Sequence, residues 1–424
     1  MKLHIPYART GMDFELPDDR VLAVLRSNLD KAEPTAPGIE QVRTALEHPI
    51  GSAPLHELVK GKNNVVLIAS DHTRPVPSKA IIPPMLDEIH RGNPDAKVTI
   101  LIATGCHRES TPQELEDKFG RDVLDQVRIV IHRCGDDEDM VTLGTLPGGG
   151  TLRLNRVAVE ADLLISEGFI EPHFFAGFSG GRKSVLPGIC SRETVLANHC
   201  SAFIGSPYAR GGCLDGNPLH KDMLWAARKV NLAFICNVVL NTRHEVIGAF
   251  AGDCNEAHLA GVEYIRGLCQ APACQADIVI TTNGGYPLDQ NVYQSVKGMS
   301  TAELACRDGG VIIMAAACND GHGGESFAKI FRDNPDSADI QRKILQVPAD
   351  QTVPDQWEAQ VFSRVLSKHS VIMISEAPDD MIRELHMQPA HSMEEAIALA
   401  DKIVPGGKIA VIPDGISTLV QMSK

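Results

Sequence analysis

Short apolar runs rich in β-branched residues recur along this chain. Most are followed at once by a polar loop and then by a helix-like segment. Val65–Ala69, Val98–Ala103, Val127–Ile131 and Leu163–Ser166 are such runs in the first part, and Ile278–Thr281, Val311–Ala316, Val371–Ser375 and Ile409–Ile412 in the second. Apolar runs of this length read as strands buried on both faces, which is how parallel sheet is written in sequence. Their alternation with helices constrains the chain to an α/β fold of mostly parallel sheets. Ser78–His90 reads as one of the helices. Thr111-Pro112-Gln113-Glu114 opens another as a capping box with proline at its first position, and Ser392-Met393-Glu394-Glu395 caps a third that runs to Lys402. Asp18–Asn28 and Thr301–Arg307 also read as helical. Leu3–Tyr7 with Met12–Leu16, and Leu232–Leu240 with Glu245–Ala251, read as strand pairs.

A chain of 424 residues exceeds one ordinary core, so two domains are expected. Composition changes at Gln270–Gln275, which divides the chain into an N-terminal α/β domain of residues 1–272 and a C-terminal α/β domain of residues 273–424. A net charge of −14 argues against a nucleic-acid partner, which needs a basic face. The start, Met1-Lys2-Leu3-His4-Ile5-Pro6, has no apolar signal core, and the longest apolar runs are too short to span a bilayer. The expectation is a cytoplasmic protein with no membrane partner. Eleven cysteines, none in a C-x-x-C pair, favour small buried hydrophobes over a disulfide framework or a zinc knot. Cys106, beside His107, is the one whose neighbours suggest more.

The polar motifs sit at telling places. Asp71-His72-Thr73-Arg74 follows the run ending at Ala69, and Thr104-Gly105-Cys106-His107-Arg108 the run ending at Ala103. Glu167–His173 follows Ser166, and Asn283-Gly284-Gly285 follows Thr281. In open α/β sheets ligands bind just past the carboxyl ends of strands, so these loops predict one shared site. Arg74, on a proline-stiffened loop, suits a carboxylate or phosphate, or a surface salt bridge. His107 is placed as a general base or as an ordinary loop histidine. His173 precedes Phe174-Phe175, an aromatic pair that either fills core or keeps water from a site.

Ala176-Gly177-Phe178-Ser179-Gly180-Gly181-Arg182-Lys183-Ser184 is too glycine-rich and polar for plain core. Lys183 can meet an anion or act as a nucleophile, but Arg182 stands where a P-loop requires glycine. His199, at the end of the helical Ser191–Asn198, reads either as a satisfied interior residue or as a metal ligand. Tyr293 and Lys297 are four apart and Gln294 and Lys297 three apart, so on a helix they are neighbours.

Taken together, Ser70–Pro75, Ala103–Arg108, Glu171-Pro172-His173, Gly177–Lys183, Ala197-Asn198-His199, Leu214–Pro218 and Tyr293–Gly298 resemble the nickel-pincer lactate racemase family. These motifs span most of the chain in the family's order. The resemblance implies two α/β domains with cofactor and active site in the cleft between them. It implies nickel, held in a pyridinium-3,5-bisthiocarboxylic acid mononucleotide that Lys183 can carry through a thioamide bond, with His199 completing the metal's coordination. Asp71, Gly180 and Gly181 would line the cofactor. His107 and His173 correspond to the two catalytic acid/bases. Arg74, Lys297, Gln294 and Tyr293 correspond to the substrate site, the last three contributed by the C-terminal domain. The implied activity is an isomerase: a racemase or epimerase inverting C2 of a small 2-hydroxy acid by hydride transfer, lactate being the first candidate. The implied partners are that substrate and the host's cofactor-synthesising enzymes. Other readings of the same residues are a metal-assisted hydrolase or lyase that uses the histidines as ligands, a cofactor carrier without turnover, and a family member acting on a sugar acid or a dicarboxylate.

Overall fold

The computed structural model describes residues 1–421. Two six-stranded sheets organise it. The first has the order Val246–Gly252, Leu232–Leu240, Leu163–Phe169, Asn64–Ser70, Lys97–Ala103, Arg128–Ile131. Its neighbours pair in parallel, apart from the edge strand Val246–Gly252, which runs antiparallel to Leu232–Leu240. The second has the order Gln388–Ala390, Ser370–Ile374, Cys306–Ala315, Ala276–Thr282, Ile409–Ile412, Val21–Val24, and every pairing in it is parallel. The continuous apolar runs are buried on both faces, as a parallel sheet requires: Val65 to Ala69 are wholly inaccessible.

Successive residues of Asn64–Ser70 feed different cores, because side chains alternate across a strand. Val65, Leu67 and Ala69 pack with Val42, Ile81 and Ile100 on one face. Val66 and Ile68 join Val185, Leu186 and Ile189 on the other. Each of those three burials stabilises by about 1.5–3 kcal/mol, so the glycine-rich segment carrying Lys183 is clamped to the sheet by the apolar residues that follow it.

Each sheet reverses its direction of growth once. In the first sheet the reversal lies between Asn64–Ser70 and Leu163–Phe169, and in the second between Ala276–Thr282 and Ile409–Ile412. Loops diverge at such a point and leave a crevice at the carboxyl ends of the strands.

Three expectations change. Asp18–Asn28 is not a helix: a 3-10 turn, Asp18–Arg20, leads into the strand Val21–Val24, which pairs with Ile409–Ile412. Pairing at a free sheet edge outweighs local helix preference there. Residues 1–24 consequently lie with the second sheet, where Leu3, Ile5, Phe14 and Leu16 pack with Ile278, Ile280 and Val411, so a grouping of residues 1–272 does not hold for them. Thr301–Arg307 is the tail of a longer helix, Val292–Ala305, after which the chain enters Cys306–Ala315. The Asn291 side chain accepts from the Gln294 N–H and starts that helix early, placing Tyr293, Gln294 and Lys297 on its first turns. Among the described residues no helix is long and apolar enough to cross a membrane.

Candidate active site

A cavity of about 1010 Å³ opens where the two switch points meet. The first sheet lines it with the loops after Ser70, Ala103 and Phe169. The second contributes Gly284, Asp414 and the first turns of Val292–Ala305. Asp71, Arg74, His107, His173, Lys183 and His199 all border it, as do Gly180, Gly181, Tyr293, Gln294 and Lys297. Asp71, Arg74, His107 and His173, which the strand-end rule singled out, thus lie in one place together with Lys183, His199, Tyr293, Gln294 and Lys297, which that rule does not reach.

Asp71 is buried, and its Oδ2 lies 2.8 Å from His107 Nδ1. Its Oδ1 accepts from the Thr73 N–H at 3.1 Å and the Thr73 hydroxyl at 2.6 Å. Burial works to raise the Asp71 pKa, but the bonds from His107 and Thr73 and the charge of Arg74 outweigh it and hold the carboxyl below its ordinary value. An ionised Asp71 fixes the His107 tautomer with the proton on Nδ1, leaving Nε2 with a free lone pair. Arg74 donates to its neighbour Thr73, at 3.1 Å to the hydroxyl, and is exposed toward the cavity.

His173 sits deeper. Its ring stacks on Phe174 at 5.2 Å and meets Phe175 edge-on at 4.6 Å, and the Ala176 N–H donates to its Nδ1 at 3.3 Å. Burial, then the charges of Lys183, Lys297 and Arg74, push its pKa well below the usual histidine range, so it is neutral. His199 ends the helix Arg192–Asn198 and lies edge-on between Phe175 at 5.4 Å and Trp357 at 5.1 Å. Its Nδ1 bonds the Val195 carbonyl at 3.0 Å, so Nε2 is left as a ligand atom. Burial first, and Lys183 second, lower its pKa to about 3, the neutral form that a metal requires.

Lys183 lies on a 3-10 turn, Gly181–Ser184. Burial, then Arg182, Arg74 and Lys297, hold its amine well below the ordinary lysine range, toward the nucleophilic form. Arg182 itself is wholly buried and serves the turn: it donates to the carbonyls of Phe178 at 2.7 Å, Ala176 at 2.9 Å and Gly180 at 3.1 Å. Gly180 and Gly181 both have positive φ. A Cβ on Gly180 would stand 2.8 Å from Asn237 Oδ1, and one on Gly181 2.8 Å from the His258 ring. These glycines therefore have a packing reason within the protein.

Lys297 donates to Gln294 Oε1 at 2.6 Å, and burial followed by the charge of Arg74 lowers its pKa. Tyr293 donates to Asp355 Oδ1 at 3.1 Å. Two carboxyls at the cavity were not assigned from sequence. Glu171 is raised by burial against the pull of Arg74, Lys297 and Lys183. Glu358, on the helix Gln356–Lys368, is raised to about 8 by burial, with Lys297 opposing; its Oε1 is buried with no partner among the described residues. Asp414 was missed as well, although Pro413-Asp414-Gly415 follows Ile409–Ile412 and obeys the same strand-end rule. Glu358 leaves no local signal, being one charge on an amphipathic helix.

Matches to known proteins cover nearly the whole chain. A family model described as the lactate racemase N-terminal domain matches residues 7–212, and one described as the lactate racemase C-terminal domain matches residues 271–420. The chain is 52% identical over 421 residues to a lactate racemase of Thermoanaerobacterium thermosaccharolyticum, covering 99% of each. It is 48% identical to a lactate racemase of Lactiplantibacillus plantarum, again covering 99% of each. The solved structure of the lactate racemase apoprotein from T. thermosaccharolyticum superposes with a TM-score of 0.96, covering 99% of this chain and all of that one. A Thermotoga maritima protein of 20% identity shares the fold at a TM-score of 0.64, covering 91% of this chain and 97% of that one.

Proposed function

The chain belongs to the lactate racemase family, and from that premise we propose that it inverts the C2 centre of a small 2-hydroxy acid, lactate first. The observation that carries the reading is the meeting in one cavity of two imidazoles, His107 and His173, with two cations suited to a carboxylate, Arg74 and Lys297.

The residues suit the nickel-pincer mononucleotide that family membership implies. His199 offers one buried, neutral nitrogen, and Lys183 an amine shifted toward the form that acylation needs. Among the described residues no group of three or more His, Cys, Asp or Glu side chains could hold a metal ion, so a metal at His199 would draw its other ligands from a non-protein group. That fits a pincer better than a hydrolytic site built from three histidines. When bound, the group supplies an acceptor and donor of hydride for the C2 hydrogen.

The chain's own residues do the rest. Arg74 and Lys297 bind and orient the substrate carboxylate, and Gln294 fixes the Lys297 ammonium. His107 Nε2 takes the hydroxyl proton of one enantiomer, and Asp71 stabilises the imidazolium that forms. Asp71 thus acts through His107. His173 handles the hydroxyl proton of the other enantiomer from a drier setting. Phe174, Phe175 and Trp357 exclude water, which strengthens each charge interaction within. The protein works in the cytoplasm and receives its cofactor from the host's synthesising enzymes; the free state of all eleven cysteines supports that compartment.

The test is racemisation of lactate in deuterium oxide, followed by proton NMR at early conversion. The product should keep protium at C2, because the histidines handle only the hydroxyl proton. Stoichiometric deuterium at C2 would show proton abstraction from carbon and overturn the mechanism. Inversion of a sugar acid or a dicarboxylate, with none of lactate, would overturn the substrate.

A further inference from the structure

One residue of the strand-end loops has no part in the chemistry above. Asn283 directly follows the strand Ala276–Thr282, at the switch point of the second sheet. Its neighbour Gly284 borders the cavity, whereas Asn283 is wholly buried. Its side chain turns instead toward the start of the helix Val292–Ala305. The amide nitrogen donates to the Gln294 carbonyl at 2.7 Å and to the Leu288 carbonyl at 2.6 Å. The amide oxygen accepts from the Gly298 N–H at 3.0 Å. Both donors of the amide are used, and its oxygen as well. Gln294 and Gly298 are four apart, and this carbonyl and this N–H are the pair that an ordinary α-helix joins to each other. Asn283 spans that pair from outside the helix and so fastens one whole turn to the strand end. Gly298 admits the amide: a Cβ there would stand 2.8 Å from Asn283 Oδ1 and 2.8 Å from the Thr282 carbonyl oxygen. The turn so held carries Gln294 and Lys297. Within it Lys297 Nζ donates to Gln294 Oε1 at 2.6 Å, and the Gln294 N–H donates to Asn291 Oδ1 at 2.9 Å. Two asparagines thus hold Gln294 by its backbone, and Gln294 holds Lys297 by its side chain.

We infer that Asn283 is a positioning residue: it anchors the Gln294–Gly298 turn to the strand end and thereby sets how well Lys297 meets the substrate carboxylate. A lysine stem is long and flexible, so its ammonium is only as well placed as the groups that hold it. Here those groups form one chain of contacts, from the strand end through Asn283 and Gln294 to Lys297. Every member but the last lies away from the substrate's reacting atoms, so Asn283 acts on affinity through Lys297 and not on the chemical step. Its removal leaves the Gln294 carbonyl and the Gly298 N–H without this partner, and the first turns of the helix lose their tie to the second sheet.

The anchoring stands without the proposed function; only its effect on affinity rests on that reading. Hydrogen exchange of the full-length protein, followed by peptide mass spectrometry, tests the anchoring. In Asn283→Ala, residues 292–300 should exchange faster by about tenfold, the equivalent of one hydrogen bond, while the strand Ala276–Thr282 keeps its protection. Gly298→Ala should act in the same direction, because its Cβ displaces the amide. Alanine is the better helix former, so a role confined to helix stability predicts slower exchange there instead. Unchanged exchange over residues 292–300 in both variants, or one uniform increase over the whole chain, would overturn the anchoring. In cofactor-loaded enzyme Asn283→Ala should raise the KM for lactate by about tenfold, with a smaller fall in kcat and unchanged nickel content. In a Lys297→Ala background the same substitution should add little, since the two act in series. Additive effects on KM, or an unchanged KM beside faster local exchange, would overturn the link to Lys297. Wild-type enzyme inactive on lactate would count against the proposed function, and the exchange pattern would still decide the anchoring.

Discussion

Replacing Asp71 with asparagine tests the core of the proposed chemistry with a side chain of the same shape. Asp71 is 2% exposed and lies 2.8 Å from His107 Nδ1. Its carboxylate fixes which nitrogen of His107 is bare and stabilises positive charge that develops on the ring. A hydrogen bond to a charged group contributes about 1.5–3 kcal/mol. The His107 side chain is 46% exposed, so solvent screens part of this interaction. The lower part of the range, about 1.5–2 kcal/mol, therefore applies, and at about 1.36 kcal/mol per factor of ten it becomes a fall in kcat of about 10- to 30-fold. Asp71→Glu, which keeps the charge, should recover part of the loss. Chiral chromatography of lactate gives the rates, and nickel content with thermal melting shows whether site and fold survive. Turnover within twofold of wild type, with nickel content unchanged, would refute the claim that Asp71 orients His107.

Further outcomes follow from the same geometry. His199→Ala should leave the circular dichroism spectrum unchanged and lose nickel, and retention of the metal would remove His199 from its coordination. Arg74→Lys and Lys297→Ala should each raise the KM for lactate about ten- to a hundredfold, the equivalent of one charged hydrogen bond; unchanged KM values in both would remove the carboxylate clamp. Glu358 has a raised pKa, so it is neutral in the folded protein while ionised in the unfolded chain, and stability is lost as pH rises from about 4.5 toward 8. Glu358→Gln stays neutral throughout. It should become more stable relative to wild type over that window, by at most about 1.4 kcal/mol per pH unit, and level off above it. Denaturant melts of both proteins at several pH values measure this, and a pH-independent difference would contradict the burial argument.

The parallel α/β class was legible in apolar runs too continuous for a half-exposed sheet, and so was the place of the polar motifs just past strand ends. Those two facts led to Asp71, Arg74, His107, His173 and the Asn283 loop, because the chemistry of an open sheet gathers at one edge whatever the family. Cap residues were equally legible: Thr111 and Ser392 both accept from the expected N–H groups, since capping depends on residues three apart. Whatever depends on pairing between distant segments emerged only in the folded chain. Val21–Val24 is a strand because Ile409–Ile412 offers it an edge, and no local pattern carries that offer. Arg182 proved to be the internal brace of its own turn, because the carbonyls it binds converge only after folding. The placing of Glu358 and Trp357 against Lys297 and His199 likewise required two sheets to meet at their switch points. Burial there makes His173 and His199 neutral and lowers the Lys183 amine, and burial is a property of the assembled cavity, not of any stretch of sequence.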